Sequence, residues 1–451
     1  MGSWPRNVFL SGVAAVCSGS GLARSIAATE HDRVPSDHLH FELAPQPDRH
    51  RNALAEVGLM RKESVRWRGE AYPFPAEDSL EGDGELKQRY PYFHTSAEIR
   101  SEVQRLAGAC KGALSMKTLE DSKDSSVSID AVSIRAKGAS PVNRIFILFG
   151  EHSRELISPE SGLFFVRALC EDSDLQVPGG ASKLLEDSEF QIVLNANPRS
   201  RLEVEAGNFC LRENPNGVDL NRNWDEKWER AAAGSFADAN PGPRPFSEPE
   251  TRIFRDLVTQ FKPTVFLTVH SGTRGMYMPW AYDMEHEGTA NRDAMMDVLR
   301  DLDKDHCTCP FGAAGKEVGY PCPGTCLDWV YAKLNTPFVF AFEIYVGGGQ
   351  EGDLKQRWRD IIHGDDALLQ DSRVHLAHMP YRKHFHEYPS DFVQISHARG
   401  HASKSEECFG MFNPDSKESY DKTVKNWASA YWQLSQMTAL SLKNNHSTSS
   451  G

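Results

Sequence analysis

Apolar runs of strand length punctuate this chain at residues 145–149, 190–195, 264–269 and 338–342. Runs of that length and β-branching read as strands covered on both faces. Residues 126–134 alternate as a strand does. Between the strands, apolar positions recur at helical spacing. Residues 97–107 place Ile99, Val103 and Leu106 on one face behind Thr95 as N-cap. Residues 159–170 carry Pro159 near the start, where its missing amide hydrogen is harmless. Residues 248–261, 292–303 and 328–333 read as further helices. Val424, Trp427, Tyr431, Leu434 and Met437 give residues 420–442 the apolar face of a closing helix packed on the core. Strands alternating with helices predict an α/β fold, with a mixed, largely parallel central sheet flanked by helices on both faces.

The segments lacking this pattern set the domain limits. Residues 25–89 are polar and rich in proline and charge, with one short helix at 53–60; they read as a linker or short pro-segment. One domain is expected over residues 90–442, interrupted by a polar, histidine-rich insertion at about 347–407. The insertion's His363, His375, His378, His384, His386, His397 and His401 read as part of a solvated loop, given their scattered spacing, with metal binding as the alternative. Residues 443–451 read as a disordered tail.

Composition narrows the function classes. A formal net charge of −13 over 451 residues, without a basic stripe, argues against nucleic acid as partner. No apolar stretch is long enough to span a bilayer. Arg6, an apolar segment at 8–16 and small residues at 18–23 have the form of a secretory signal peptide at 1–24, so a secreted protein is expected. An organelle or cytoplasmic location with a disordered leader is the alternative. Removing Cys17 with the leader leaves Cys110, Cys170, Cys210, Cys307, Cys309, Cys322, Cys326 and Cys408, an even set suited to disulfides. A structural zinc site at Cys307, Cys309, Cys322 and Cys326 is the competing reading.

The candidate chemistry sits where the strands end. Residues 145–149 lead into Gly150-Glu151-His152-Ser153-Arg154-Glu155, residues 264–269 into His270-Ser271, and residues 338–342 into Glu343. In open α/β sheets the ligand site lies beyond the carboxyl ends of the strands. Two imidazoles and a carboxylate there suit zinc with an open fourth position, and a further carboxylate suits a base. The run Arg212-Glu213-Asn214-Pro215-Asn216-Gly217-Val218-Asp219-Leu220-Asn221-Arg222-Asn223-Trp224 adds two arginines, whose paired donors recognise carboxylates.

These elements, in this order and at compatible spacing over residues 90–345, closely resemble the zinc metallocarboxypeptidases of the carboxypeptidase A/B and N/E type. The resemblance implies one zinc ion per chain on His152, Glu155 and His270, with Asp219 orienting the first histidine. It implies Glu343 as general base and Arg212 as the group polarising the scissile carbonyl. Asn221 and Arg222 would clamp the substrate's terminal carboxylate, Arg154 would lie on its approach, and Tyr320 would cap it. Leu327 would floor the pocket for the terminal side chain, with Ala281 and Gly315 in comparable stretches. No acid stands at these positions, so apolar C-terminal residues of peptides or proteins are the expected substrate, and a monomer the expected state. Gly272 replaces an aromatic residue that often follows His-Ser in the family, which would widen a subsite. Two alternatives remain: a zinc amidohydrolase acting on N-acyl amino acids or peptidoglycan peptides, and a non-catalytic binding protein on a peptidase fold.

Overall fold

A computed structural model of the chain describes residues 65–67, 84–110, 113–175, 179–230, 239–347 and 404–448. The strands are β1 (Val65–Trp67), β2 (Leu114–Asp121), β3 (Ser128–Ile134), β4 (Asn143–Phe149), β5 (Ser188–Val193), β6 (Val265–His270), β7 (Arg274–Met278), β8 (Phe311–Ala313) and β9 (Phe338–Ile344). Among the described residues they form one nine-stranded sheet in the order β1-β2-β3-β5-β4-β6-β9-β7-β8. The centre, β5-β4-β6-β9, is parallel, as the apolar runs predict. Antiparallel pairs of β3 with β5 and β7 with β9 extend it on the two sides.

The helices are α1 (Glu85–Arg89), α2 (Ser96–Ala109), α3 (Ile157–Leu169), α4 (Gly180–Asp187), α5 (Pro198–Glu205), α6 (Pro249–Phe261), α7 (Arg292–Leu302), α8 (Ala314–Val318), α9 (Cys326–Leu334), α10 (Lys404–Phe412) and α11 (Lys417–Thr448). Thr95 caps α2 as expected: its hydroxyl accepts from Glu98 N at 3.2 Å, and Glu98 accepts from Thr95 N at 2.8 Å. The closing helix α11 packs on α3 and the sheet. Tyr431 meets Phe149 and Phe165 at ring distances of 5.7 Å, and Trp427 Nε1 donates to the Ile344 carbonyl at 2.8 Å. Full burial of an aromatic side chain of this size contributes roughly 1.5–3 kcal/mol.

Glu160, fully enclosed on α3, joins three parts of the fold. It accepts from His94 N (2.8 Å) and Tyr420 Oη (2.6 Å), and its carboxylate pairs with His94 Nδ1 at 2.7 Å. The N-terminal approach, α3 and α11 are thereby tied at one buried carboxylate.

Several expectations need correction. Strand β1 and helix α1 fall within the stretch read as linker, and α10 begins inside the insertion. Helix α11 continues to Thr448, through residues read as a disordered tail, because no proline or glycine interrupts residues 443–448. The short helix expected at 53–60, and most of the insertion with its histidines, lie outside the described residues. The cysteines divide: Cys110–Cys170, Cys210–Cys408 and Cys307–Cys309 are disulfides, while Cys322 and Cys326 stay thiols. The Cys307–Cys309 bond removes two ligands from the four-cysteine zinc reading.

Candidate metal centre and active site

The parallel register lines up three strand ends. Phe149 of β4 is the Cα partner of Val269, and His270 of β6 is the partner of Glu343 in β9. His152 and Glu155 follow β4 on a turn that Gly150 opens with a φ of +75°. Ser153 holds this turn to the Arg212 loop, its amide donating to the Arg212 carbonyl (3.2 Å) and its hydroxyl to that of Leu211 (2.8 Å).

His152, Glu155 and His270 meet in the interior. Their ligand atoms lie within 4.8 Å of one another, and all three residues are buried. Glu155 places Oε1 2.7 Å from His152 Nδ1 and Oε2 3.0 Å from His270 Nδ1. The two Nδ1 atoms are 3.1 Å apart. Two nitrogens bound tetrahedrally at the usual zinc distance would be separated by about 3.3 Å, so the N₂O donor set fits that ion.

Each surrounding group has a definite partner. Asp219, wholly buried, lies 3.1 Å from His152 Nε2 and accepts from Arg212 Nε (3.1 Å), Arg212 Nη2 (2.9 Å) and Asn221 N (2.9 Å). Burial would raise this carboxyl, but Arg212 and His152 hold it well below the usual range. Arg212 Nη1 is also 3.5 Å from Glu155 Oε1. Burial would likewise raise Glu155, and the two histidines reverse that. His270 is pushed up to about 10, because Glu155 and Glu151 outweigh its burial. Burial, then the neighbouring Glu155, push Glu343 up to about 8, and its Oε2 has no hydrogen-bond partner among the described residues. This excess of carboxylates is the electrostatic setting in which a bound cation is favoured.

Of the residues expected to bind substrate, Asn221 and Arg222 lie on the Arg212–Trp224 loop, which packs against the segment between Tyr320 and Leu327. Asn221 Oδ1 accepts from Cys326 N at 3.0 Å, joining the Arg212–Trp224 loop to the start of α9. Gly324 lets the two segments touch: a Cβ there would lie 2.4 Å from the Arg222 carbonyl oxygen, and its φ is +73°. Arg222 and Arg212 both act electrostatically on Tyr320, whose ring is partly exposed and whose phenol burial raises to about 12. Leu327 and Ala281 are buried. The adjacent Asp328 carboxylate accepts from Ala281 N (2.8 Å) and Tyr282 N (2.9 Å), while Cys322 N donates to the Ala281 carbonyl (2.8 Å). Gly315 N donates to the Trp280 carbonyl (2.9 Å), so the pocket positions expected from sequence form one stitched patch.

Arg154, expected on the approach of the substrate's carboxylate, donates from Nη1 to the Cys210 carbonyl (3.2 Å), and its guanidinium lies over the Phe412 ring at 4.1 Å. That ring also corrects the reading of Gly272. A Cβ at Gly272 would lie 2.3 Å from Phe412 Cε1, so the space of the missing aromatic is filled by Phe412 of α10.

A family model described as zinc carboxypeptidase matches residues 99–362, more than half of the chain. The chain belongs to the zinc carboxypeptidase family. Zinc carboxypeptidase A 1 of Drosophila melanogaster is 25% identical over 225 residues, 46% of this chain and 51% of the fly protein. Carboxypeptidase A2 of Mus musculus is 25% identical over 56% of this chain and 62% of its own length. Carboxypeptidase B of Rattus norvegicus is 28% identical over 44% and 51%. The chain therefore spans about half to three-fifths of the length of these curated relatives. The crystal structure of thrombin activatable fibrinolysis inhibitor superposes with a TM-score of 0.56 at 18% identity, over 81% of this chain and 78% of that one. That likeness shows a shared fold.

Membership of this family implies zinc, and His152, Glu155 and His270 are the residues here that fit it. No role was expected for Glu151 or Thr268, and Cys326 was expected in a disulfide or a structural zinc site; the three lie together behind His270. The available signal was an acidic residue directly ahead of His152, at a strand end that burial should have made apolar.

Proposed function

We propose that this chain is a zinc-dependent exopeptidase that hydrolyses the C-terminal peptide bond of peptides or proteins, preferring apolar terminal residues. The observation that carries the proposal is the convergence of His152, Glu155 and His270 with Arg212, Asn221, Arg222 and Glu343 at the ends of β4, β6 and β9. Zinc held by the two Nδ1 atoms and the Glu155 carboxylate would supply Lewis-acid activation of water and of the scissile carbonyl. A bound cation would favour the charged form of Glu343 against its burial, and with an oxygen left open this carboxylate accepts the proton of the attacking water and returns it to the leaving amine. Arg212, fixed by its two bonds to Asp219, directs its remaining donors at the charge developing on the carbonyl oxygen. Arg222, with Asn221 Nδ2, pairs with the terminal carboxylate, which confines cutting to the chain end.

The apolar preference rests on Leu327, Ala281 and Gly315. The nearby acid Asp328 spends its oxygens on backbone amides, so a lysine or arginine would be buried without a counter-charge. The three disulfides suit an oxidising compartment, in keeping with secretion. Glu343→Gln tests the mechanism: zinc content should hold while hydrolysis falls roughly 10²–10⁴-fold, the usual share of a general base. A near-native rate in that variant would end the assignment.

A further inference from the structure

Glu151 is buried immediately before His152, and one of its oxygens, Oε1, has no partner among the described residues. A carboxylate so placed is costly to bury. Its other oxygen, Oε2, lies 2.9 Å from Thr268 Oγ1, 3.5 Å from Cys326 Sγ and 3.4 Å from His270 Nε2. Thr268 Oγ1 in turn lies 2.8 Å from the same His270 Nε2. A hydroxyl has one hydrogen to give. A carboxylate oxygen accepts, so the Thr268 hydrogen points to Glu151, and a hydroxyl lone pair faces the ring. A neutral His270, the form that can bind a metal, then carries its hydrogen on Nε2, which leaves the Nδ1 lone pair available beside His152 and Glu155. Asn221 Nδ2, at 3.4 Å from Nε2, is a more distant contact than the Thr268 oxygen at 2.8 Å.

We infer that Glu151, through the Thr268 hydroxyl, is the positioning residue for His270, holding the ring and its tautomer so that Nδ1 is presented to the metal. The site then has two such supports of different construction. Asp219 contacts His152 directly, and Glu151 acts on His270 mainly through a hydroxyl. The inference rests on the zinc site proposed above.

Zinc dissociation constants from chelator competition test it, measured on the unaltered chain, Glu151→Leu and Glu151→Gln, with thermal unfolding of the metal-free forms alongside. Leucine removes the acceptor and lets the Thr268 hydroxyl turn its hydrogen toward Nε2. Glutamine keeps both shape and an acceptor oxygen. The expected result is zinc binding weakened about 10–100-fold by leucine and at least partly recovered by glutamine, without loss of metal-free stability. Leucine binding zinc as tightly as the unaltered chain, or glutamine no better than leucine, overturns the inference. Should the leucine variant not fold, Thr268→Val removes the link and keeps Glu151; weakened binding supports the relay, and unchanged affinity overturns it. An unaltered chain that binds no zinc would instead end the reading of the site itself.

Discussion

Asp219→Asn is a sharp perturbation because one buried carboxylate serves three partners. Its oxygens face His152 Nε2 (3.1 Å), two nitrogens of Arg212 (3.1 and 2.9 Å) and Asn221 N (2.9 Å). Asparagine keeps the shape but has one acceptor oxygen. If that oxygen stays on Arg212, the amide NH₂ faces His152 and offers it a hydrogen, which favours the tautomer that blocks Nδ1. Loss of such a histidine partner costs 10–100-fold in metal affinity, about 1.4–2.8 kcal/mol. Arg212 keeps Glu155 Oε1 at 3.5 Å, so the guanidinium is not stranded. The fold should therefore lose less than the roughly 3–5 kcal/mol of a fully orphaned buried charge. At saturating zinc, a misaimed Arg212 should still lower kcat/KM roughly 10²–10³-fold, the range for losing one donor to a developing oxyanion. Chelator competition gives the affinity, steady-state hydrolysis of a blocked dipeptide the rate, and circular dichroism the fold. A folded variant with unchanged zinc affinity and rate would refute the role given to Asp219.

Peptides differing only in a C-terminal Phe, Leu, Lys or Arg should be cut fastest at Phe and Leu. Fastest cleavage at Lys or Arg would refute the pocket built on Leu327, Ala281 and Gly315. The His94–Glu160 pair makes a pH prediction: burial opposes the charged imidazole, but Glu160 more than offsets it and raises His94 above its ordinary 6.5. The folded state thus binds this proton more tightly than the unfolded one, so the pair's stabilisation is complete below 6.5 and fades as pH rises through the raised value. Melting temperatures at pH 6 and pH 8 should differ less in Glu160→Gln than in the unaltered chain; an equal difference would contradict the linkage.

What the sequence disclosed depended on how local the cause was. Strands β4, β6 and β9 announced themselves because strands covered on both faces must be apolar throughout, and their polar termini then marked the site. Strand β2 did not, because Ser115, Lys117 and Thr118 break its pattern while Leu114 and Leu119 alone carry its early apolar burial. Strand β7 escaped because it is five residues long and contains Gly275. The roles of Arg212, Asn221, Arg222 and Tyr320 came from family resemblance rather than from any periodicity. Other features depend on contacts remote in sequence. Nothing near Gly272 announces that Phe412 fills the space beside it, and nothing near Cys210 names Cys408 as its partner. Glu151 and Thr268 are far apart in the chain and meet only because β4 and β6 are neighbours.

The proposed enzyme holds one zinc ion on His152, Glu155 and His270 and cuts C-terminal peptide bonds with it. Metal content of the purified chain should be measured together with hydrolysis of a blocked dipeptide ending in Phe and of its C-terminal amide. The expected result is one zinc per chain, cleavage of the acid but not the amide, and loss of activity with chelator that added zinc restores. A chain without zinc, or one that cuts the amide as fast as the acid or works unimpaired after complete metal removal, would contradict it.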